Sequence, residues 1–272
     1  MIEALQFDFM RNALLAGLLV SIACGVIGTL VVVNRIVFIS GGIAHAAYGG
    51  IGLGYFLKFN PVLGALLFSL VSALGMGAVQ RRTRERADTL IGILWAVGMA
   101  LGILFIDLTQ GYKADLMSYL FGSILAVPRG ELLIMLGIDL AAVALVVLFY
   151  KELLAISFDE TFATVENVPT ETLYMLTLCI IALTVVIMMR VVGLIMVIAL
   201  LTIPAAIAGQ YARAMWKMMV LASALGVVFT MAGLWASYTF NLTSGASIIL
   251  VAAGAFLVSL LFKRLVRRGA GA

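Results

Sequence analysis

The sequence predicts an all-α integral membrane protein, a polytopic helical bundle of eight or nine transmembrane helices. Three observations carry this reading. Hydrophobic residues make up 64% of the chain and charged residues only 11%, where a soluble domain averages roughly 25% charged. Mean hydropathy is +1.21. The apolar residues also fall in runs of about 20, the length that crosses a bilayer core as a helix, and only short polar breaks divide them. None of those breaks could hold a soluble domain, so residues 1–272 are expected to form a single transmembrane domain.

The first run, 11–33, ends beside Arg35. Glu3 and Asp8 precede it and no small-x-small exit follows, so no cleavable signal is expected. Residues 41–57 form the second span. Lys58-Phe59-Asn60-Pro61 reads as a tight turn, and 61–79 as the third span. Q-R-R-T-R-E-R-A-D at 80–88 is the sharpest break in the chain. The fourth span, 89–106, carries Gly98 and Gly102 at a spacing suited to close helix packing. Residues 107–130 combine a polar segment with L-M-S-Y-L-F-G-S-I-L, which is apolar but too short to cross. The latter reads as a short interfacial or re-entrant helix. Spans at 131–150, 172–189, 192–209, 216–236 and 244–262 complete the set, and Pro204 is expected to bend the seventh. Cys24 and Cys179 fall inside spans and read as small apolar side chains with no disulfide between them.

Lysine and arginine set the orientation. With nine spans and the C-terminus inside, the cytoplasmic face holds Arg35, Arg81, Arg82, Arg84, Arg86, Lys151, Arg213, Lys217, Lys263, Arg264, Arg267 and Arg268. The outer face holds Arg11, Lys58, Lys113, Arg129 and Arg190. The tight turn beside Arg190 leaves an alternative: with one span half-inserted there are eight, and the N-terminus moves inside. The net charge of +4 belongs to these flanking residues and points to no nucleic acid.

The polar loop at 151–171 carries one lysine against Glu152, Asp159, Glu160, Glu166 and Glu171. Ser157 with Glu160 three residues on reads as a capping box. Phe158, Phe162 and Val165 then share a face at i, i+4 and i+7, and Asn167 and Pro169 stop the helix. The expected product is an amphipathic helix of about two to three turns with an acidic rim. An interfacial helix usually presents Lys and Arg to anionic lipid. An acidic one fits a groove on a soluble partner better.

Catalytic constellations are missing. There is no H-E-x-x-H, no G-x-S-x-G and no paired-aspartate motif, so an enzyme is not expected. No Walker-A sequence occurs either, and any use of ATP must come from another chain. Ionisable residues inside the spans are few: Asp139 in the fifth, with Asp107 and Asp115 flanking the outer segment. His45 is the only histidine in the chain. It sits in F-I-S-G-G-I-A-H-A-A-Y-G-G-I-G-L-G-Y at 38–55, where Gly41, His45, Gly49 and Gly52 share a helix face. Such a bare stripe either admits another helix closely or leaves a path past the imidazole. Imidazole is a ligand for zinc, manganese or iron. Met188, Met189 and Met196 read as packing.

Four stretches together carry a resemblance: G-G-I-A-H-A-A-Y-G-G-I-G-L-G at 41–54, S-Y-L-F-G-S-I-L at 118–125, S-F-D-E-T-F-A at 157–163 and V-G-L-I-M-V-I-A-L-L-T-I-P-A-A-I-A at 192–208. In this order and spacing they resemble the membrane permease of the zinc/manganese/iron ABC importers, over roughly residues 10–265. The resemblance implies an ABC importer core in the cell inner membrane, usually a homodimer. It implies two cytoplasmic ATPase subunits that hold the ATP and an extracytoplasmic metal-binding protein that delivers the ion. It makes 157–168 the coupling helix, with Phe158, Asp159, Glu160 and Phe162 at the ATPase. It makes His45 a ligand on the path of a transported divalent metal, with no permanently bound cofactor. Many members carry aspartate four residues before that histidine, where this chain has Gly41. Ser40, backbone carbonyls or the second protomer would then supply oxygen. The glycine-rich second span and the Pro204 span would line the path.

Overall fold

A computed structural model describes residues 6–82, 87–109, 120 and 122–269. The helices are α1 (Asp8–Val33), α2 (Val37–Phe56), α3 (Pro61–Arg82), α4 (Ala87–Leu108), α5 (Arg129–Leu148), α6 (Tyr150–Phe158), α7 (Glu160–Val165), α8 (Thr170–Val192), α9 (Leu194–Tyr211), α10 (Met215–Phe240) and α11 (Ser244–Gly269). All but α6 and α7 are long and apolar enough to cross a membrane, which makes nine candidate spans among the described residues. The short interfacial or re-entrant helix expected at L-M-S-Y-L-F-G-S-I-L lies in part outside the described residues, which exclude 116–119 and 121; of the remainder, Ile124 and Leu125 enter a single 3-10 turn, Ile124–Ala126.

The tight turn between the sixth and seventh spans is made by one residue. Gly193 joins α8 to α9 at φ 83°, a backbone state that glycine alone enters freely. Arg190, one turn earlier, is not left bare: its guanidinium meets Glu131 of α5 at 2.8 Å. The turn at Lys58 to Pro61 is closed by the Asn60 side chain, which accepts from the amide of Val62 at 2.9 Å.

Two helix groups meet at α8. In the first, α2 packs against both α3 and α4; in the second, α1 packs against α5, α9 and α10, and α11 closes on α9 and α10. Helix α8 touches α2, α3, α5 and α9. It is hydrophobic all round because it is buried all round. Helices α4, α5 and α11 keep wide apolar faces outward, among them Ile93, Val97, Leu133, Leu140, Leu250 and Leu257. Only lipid or another apolar surface suits such faces.

Polar pairs mark the two ends. At one end Arg129 reaches Asp8 at 3.2 Å and Asn12 donates to the Val127 carbonyl at 3.0 Å. At the other, the Tyr174 hydroxyl donates to Gln80 at 2.9 Å and the Trp216 amide donates to the Tyr150 hydroxyl at 3.1 Å. Cys24 and Cys179 are both free thiols.

The 151–171 segment differs from the expected loop. Phe149 breaks the helix only briefly, and α6 continues from α5 as far as Phe158. The expected single helix over 157–168 is instead the end of α6, an extended residue at Asp159 and the six-residue α7. The Ser157–Glu160 capping box does not form. Ser157 donates its hydroxyl back to the Leu153 carbonyl at 2.7 Å, as a serine already inside a helix does. Asp159 caps α7, accepting from the amides of Thr161 at 2.9 Å and Phe162 at 3.0 Å. Asn167 at φ 61° ends α7, with the Val168 amide bonded back to Ala163 at 3.0 Å.

Candidate functional site

Helix α2 holds His45 near its midpoint. Its glycines make this helix thin enough to bury most of its length. A β-carbon at Gly49 would meet the Phe68 ring, one at Gly54 the backbone of Pro61, and one at Gly52 the carbonyl of Gly102. Across the contact, a β-carbon at Gly98 would stand 2.5 Å from Ala46 Cα, and one at Gly102 2.6 Å from the Tyr48 carbonyl oxygen. Backbones can approach this closely only where both helices lack side chains. The glycine stripe therefore serves close packing of α2 on α3 and α4 along Gly49 to Gly54. Around Gly41 the neighbours stand back: a β-carbon there would meet only Trp95 at 3.8 Å and Ile198 at 3.9 Å.

His45 itself is buried, and its Nδ1 has no hydrogen-bond partner among the described residues. The Trp95 indole of α4 lies flat against the imidazole, ring centroids 3.8 Å apart and planes 16° from parallel. Tyr48 is a more distant ring, 6.4 Å away. Ser40 is not brought to this face. It lies five residues from His45, about 140° around the helix, and its hydroxyl donates to the Val37 carbonyl at 2.7 Å. Pro204 is buried inside α9, the helix whose Ile198 approaches Gly41. Met188, Met189 and Met196 are fully buried core residues. No group of three or more His, Cys, Asp or Glu side chains that could hold an ion exists among the described residues.

At the far end of the molecule α6 and α7 present a second candidate surface. Phe158 is 84% exposed, Phe162 59% and Val165 73%. These three large apolar side chains form one exposed patch. Ala163, on the opposite side of α7, is fully buried. Arg81 at the end of α3 grips Glu160 at 2.8 Å and lies over the Tyr174 ring at 4.8 Å. Thr164 and Thr170 share a hydrogen bond of 3.2 Å. So α7 is tied to α3 and α8 on one side and bare on the other.

The ABC 3 transport family matches residues 6–263, nearly the whole chain. This protein belongs to the ABC 3 transport family. It is 62% identical over 264 residues to an uncharacterised membrane protein of Synechocystis sp., spanning 97% of this chain and 94% of that one. It is 36% identical over 258 residues to the manganese transport system membrane protein MntC of Listeria monocytogenes, spanning 95% and 92%. Among solved structures it is similar to PsaBC from Streptococcus pneumoniae in complex with Fab, at a TM-score of 0.85 and 34% identity over 95% of this chain and 93% of that one. The resemblance drawn from four stretches of sequence and a helical fold with nine candidate spans among the described residues agree with this family.

Sequence reasoning missed Trp95. Its signal was present: Trp95, Gly98 and Gly102 share one face of α4. Two glycines set for close packing therefore carry the indole onto the same neighbouring helix.

Proposed function

We propose that this chain is the permease subunit of an ABC importer for a divalent transition metal, zinc, manganese or iron, and that His45 is a ligand on the ion's path. Two copies form the membrane core, two ATPase subunits dock on α7 from the cytoplasm, and a metal-binding protein delivers the ion at the opposite face. The C-terminus is then cytoplasmic in the cell inner membrane. The observation that carries the reading is the buried His45, the only imidazole in the chain, with an unpartnered Nδ1 in a helix thinned by glycine. An unsatisfied imidazole is costly in an apolar core unless it has a use. The family match and relatives such as MntC support transport of a metal.

The geometry suits passage better than storage. A single neutral imidazole gives an ion a foothold without the anionic cage that would hold it, and a path site must release what it takes up. The apolar side chains of α7 seat in the ATPase. The Arg81–Glu160 contact then passes movement of that subunit to α3, and α3 packs directly on α2. Closure of the ATPase pair thus reaches the helix that carries His45.

The test is ATP-dependent uptake of zinc, manganese and iron into proteoliposomes holding the permease with its ATPase, in wild type and His45→Ala. Uptake of an ion, lost in the variant while the complex stays assembled, is the expected result. Uptake unchanged in His45→Ala would return the histidine to packing.

A further inference from the structure

Helices α1 and α5 begin at the same end of the molecule, where Arg129 meets Asp8, and they pack against one another. Their sequences run in step from there. On α1, Arg11 is followed by Leu15, Leu18 and Leu19; on α5, Arg129 is followed by Leu132, Leu133 and Leu136. Offsets of three, four, seven and eight residues keep each set on one helix face. The two faces wall a cleft of about 600 Å³, with leucine along its sides and the two arginines, Asp8 and Asn12 at its mouth. That is the size of a small-molecule site. From Arg11 to Leu19 the helix rises about 12 Å, most of the roughly 15 Å of hydrocarbon in one leaflet. The mouth is braced by the Asn12 amide, which donates to the Val127 carbonyl at 3.0 Å, just ahead of α5. Both guanidiniums turn one nitrogen to the same Asp8 oxygen, Arg129 at 3.2 Å. A guanidinium has five N–H donors, and all three side chains are more than half exposed. The trio sets two positive charges against one negative.

We propose that this cleft binds one anionic phospholipid, its phosphodiester on Arg11 and Arg129 and an acyl chain between the leucines of α1 and α5. The layout of the cleft is that of the ligand: charge at the mouth, apolar walls beneath, and a depth matched to one leaflet. Guanidinium suits phosphate oxygens through its fork of donors, and basic pockets between membrane helices take anionic head groups. Asp8 is the counter-charge. It gathers the two arginines when no lipid is bound, and it gives way to a phosphodiester that brings the same charge. The excess of one positive charge favours an anionic head group over a zwitterionic one, whose ammonium the arginines repel. The bound lipid bridges α1 and α5 beside a second junction, since Glu131, two residues beyond Arg129, holds Arg190 of α8 at 2.8 Å. One lipid therefore steadies the ends of three helices. The proposal is independent of His45 and of the transported ion.

The experiment is native mass spectrometry of the full chain, delipidated in detergent and titrated with phosphatidylglycerol or phosphatidylcholine. Wild type is expected to take its first phosphatidylglycerol about tenfold more tightly than phosphatidylcholine. Arg11→Gln with Arg129→Gln is expected to erase that preference and leave phosphatidylcholine binding unchanged. Arg213→Gln with Lys217→Gln, at the opposite end of the molecule, is expected to keep it. Leu133→Ser with Leu136→Ser is expected to weaken both lipids alike by a few-fold. Asp8→Asn is expected to tighten phosphatidylglycerol a few-fold, because a competing anion is gone. Equal affinity of wild type for the two lipids, or a preference that survives the paired arginine variant, would overturn the proposal. So would loss of the preference in the Arg213 and Lys217 variant, or displacement of the lipid by glycerol phosphate alone. A leucine-pair variant that turns dimers into monomers with lipid binding unchanged would give the cleft to a second copy of the chain, which also overturns it. Should the paired arginine variant fail to fold, Asp8→Asn keeps both arginines and decides alone: weaker or unchanged phosphatidylglycerol binding there counts against the lipid.

Discussion

Arg81 at the end of α3 holds Glu160 of α7 at 2.8 Å while its guanidinium lies over the ring of Tyr174 on α8. One side chain therefore joins the exposed α7 to two long apolar helices. The ion pair is partly solvated and by itself worth no more than about 1 kcal/mol. Its consequence is mechanical. Arg81→Ala is expected to leave folding and ATPase association nearly intact yet lower metal uptake per ATP hydrolysed several-fold. Parallel assays of uptake and phosphate release check it; an unchanged ratio would mean that force travels by another route.

Phe162→Asp is expected to abolish association with the ATPase without affecting membrane insertion. A charge placed among Phe158, Phe162 and Val165 cannot enter an apolar groove. Co-purification of the two subunits in detergent reads this out, and retained association would remove α7 as the docking element.

The two candidate caps of α7 can be told apart. Asp159→Ala removes the acceptor for two amides and is expected to cost about 1 kcal/mol locally, with Asp159→Asn close to neutral. Ser157→Ala should do little, because its hydroxyl serves only the Leu153 carbonyl. Protease nicking between α6 and α8 reports the loosening; equal effects of Ser157→Ala and Asp159→Ala would contradict the observed cap.

Gly102→Ala and Gly52→Ala push a methyl into the facing backbone and are each expected to destabilise by about 1–3 kcal/mol. Gly75→Ala, on an open side of α3, is the control and should not lower the melting temperature. Melting curves of the purified complex in detergent decide this, and three indistinguishable curves would refute the close α2–α4 contact.

Asp139 is 4% exposed in α5, and neither carboxyl oxygen has a hydrogen-bond partner among the described residues. Removing an unsatisfied buried polar group relieves a cost of about 1–3 kcal/mol. Asp139→Leu is therefore expected to raise the melting temperature with uptake retained. Uptake lost in a more stable protein would assign the carboxyl to transport.

Much of this protein was legible in its sequence. The eight or nine spans expected from apolar runs of bilayer length appear as nine candidate spans among the described residues, and lipid leaves the backbone no alternative to helix inside them. The turn at Lys58 to Pro61 and the stop at Asn167 were readable because left-handed and turn positions select few residue types. His45 stood out because an imidazole in an apolar run has few neighbours that could hide it. The helix expected over 157–168 was readable as an amphipathic stretch but not as a shape. Phe158, Phe162 and Val165 do share exposure, but a break at Asp159 puts them on two helices, and the cap passed from Ser157 to Asp159. Periodicity cannot see a one-residue break when the residues on both sides keep the pattern.

What the sequence determined alone was the class of molecule, its spans and the residue most worth testing, since composition and period act locally along the chain. What only the tertiary structure decided was which helix meets which. That choice made the glycines of α2 a packing seam and put Trp95 on His45. It also left Ser40 facing away and tied Glu160 to Arg81. Each of these joins residues far apart in sequence, and their meeting depends on how closely two backbones can approach.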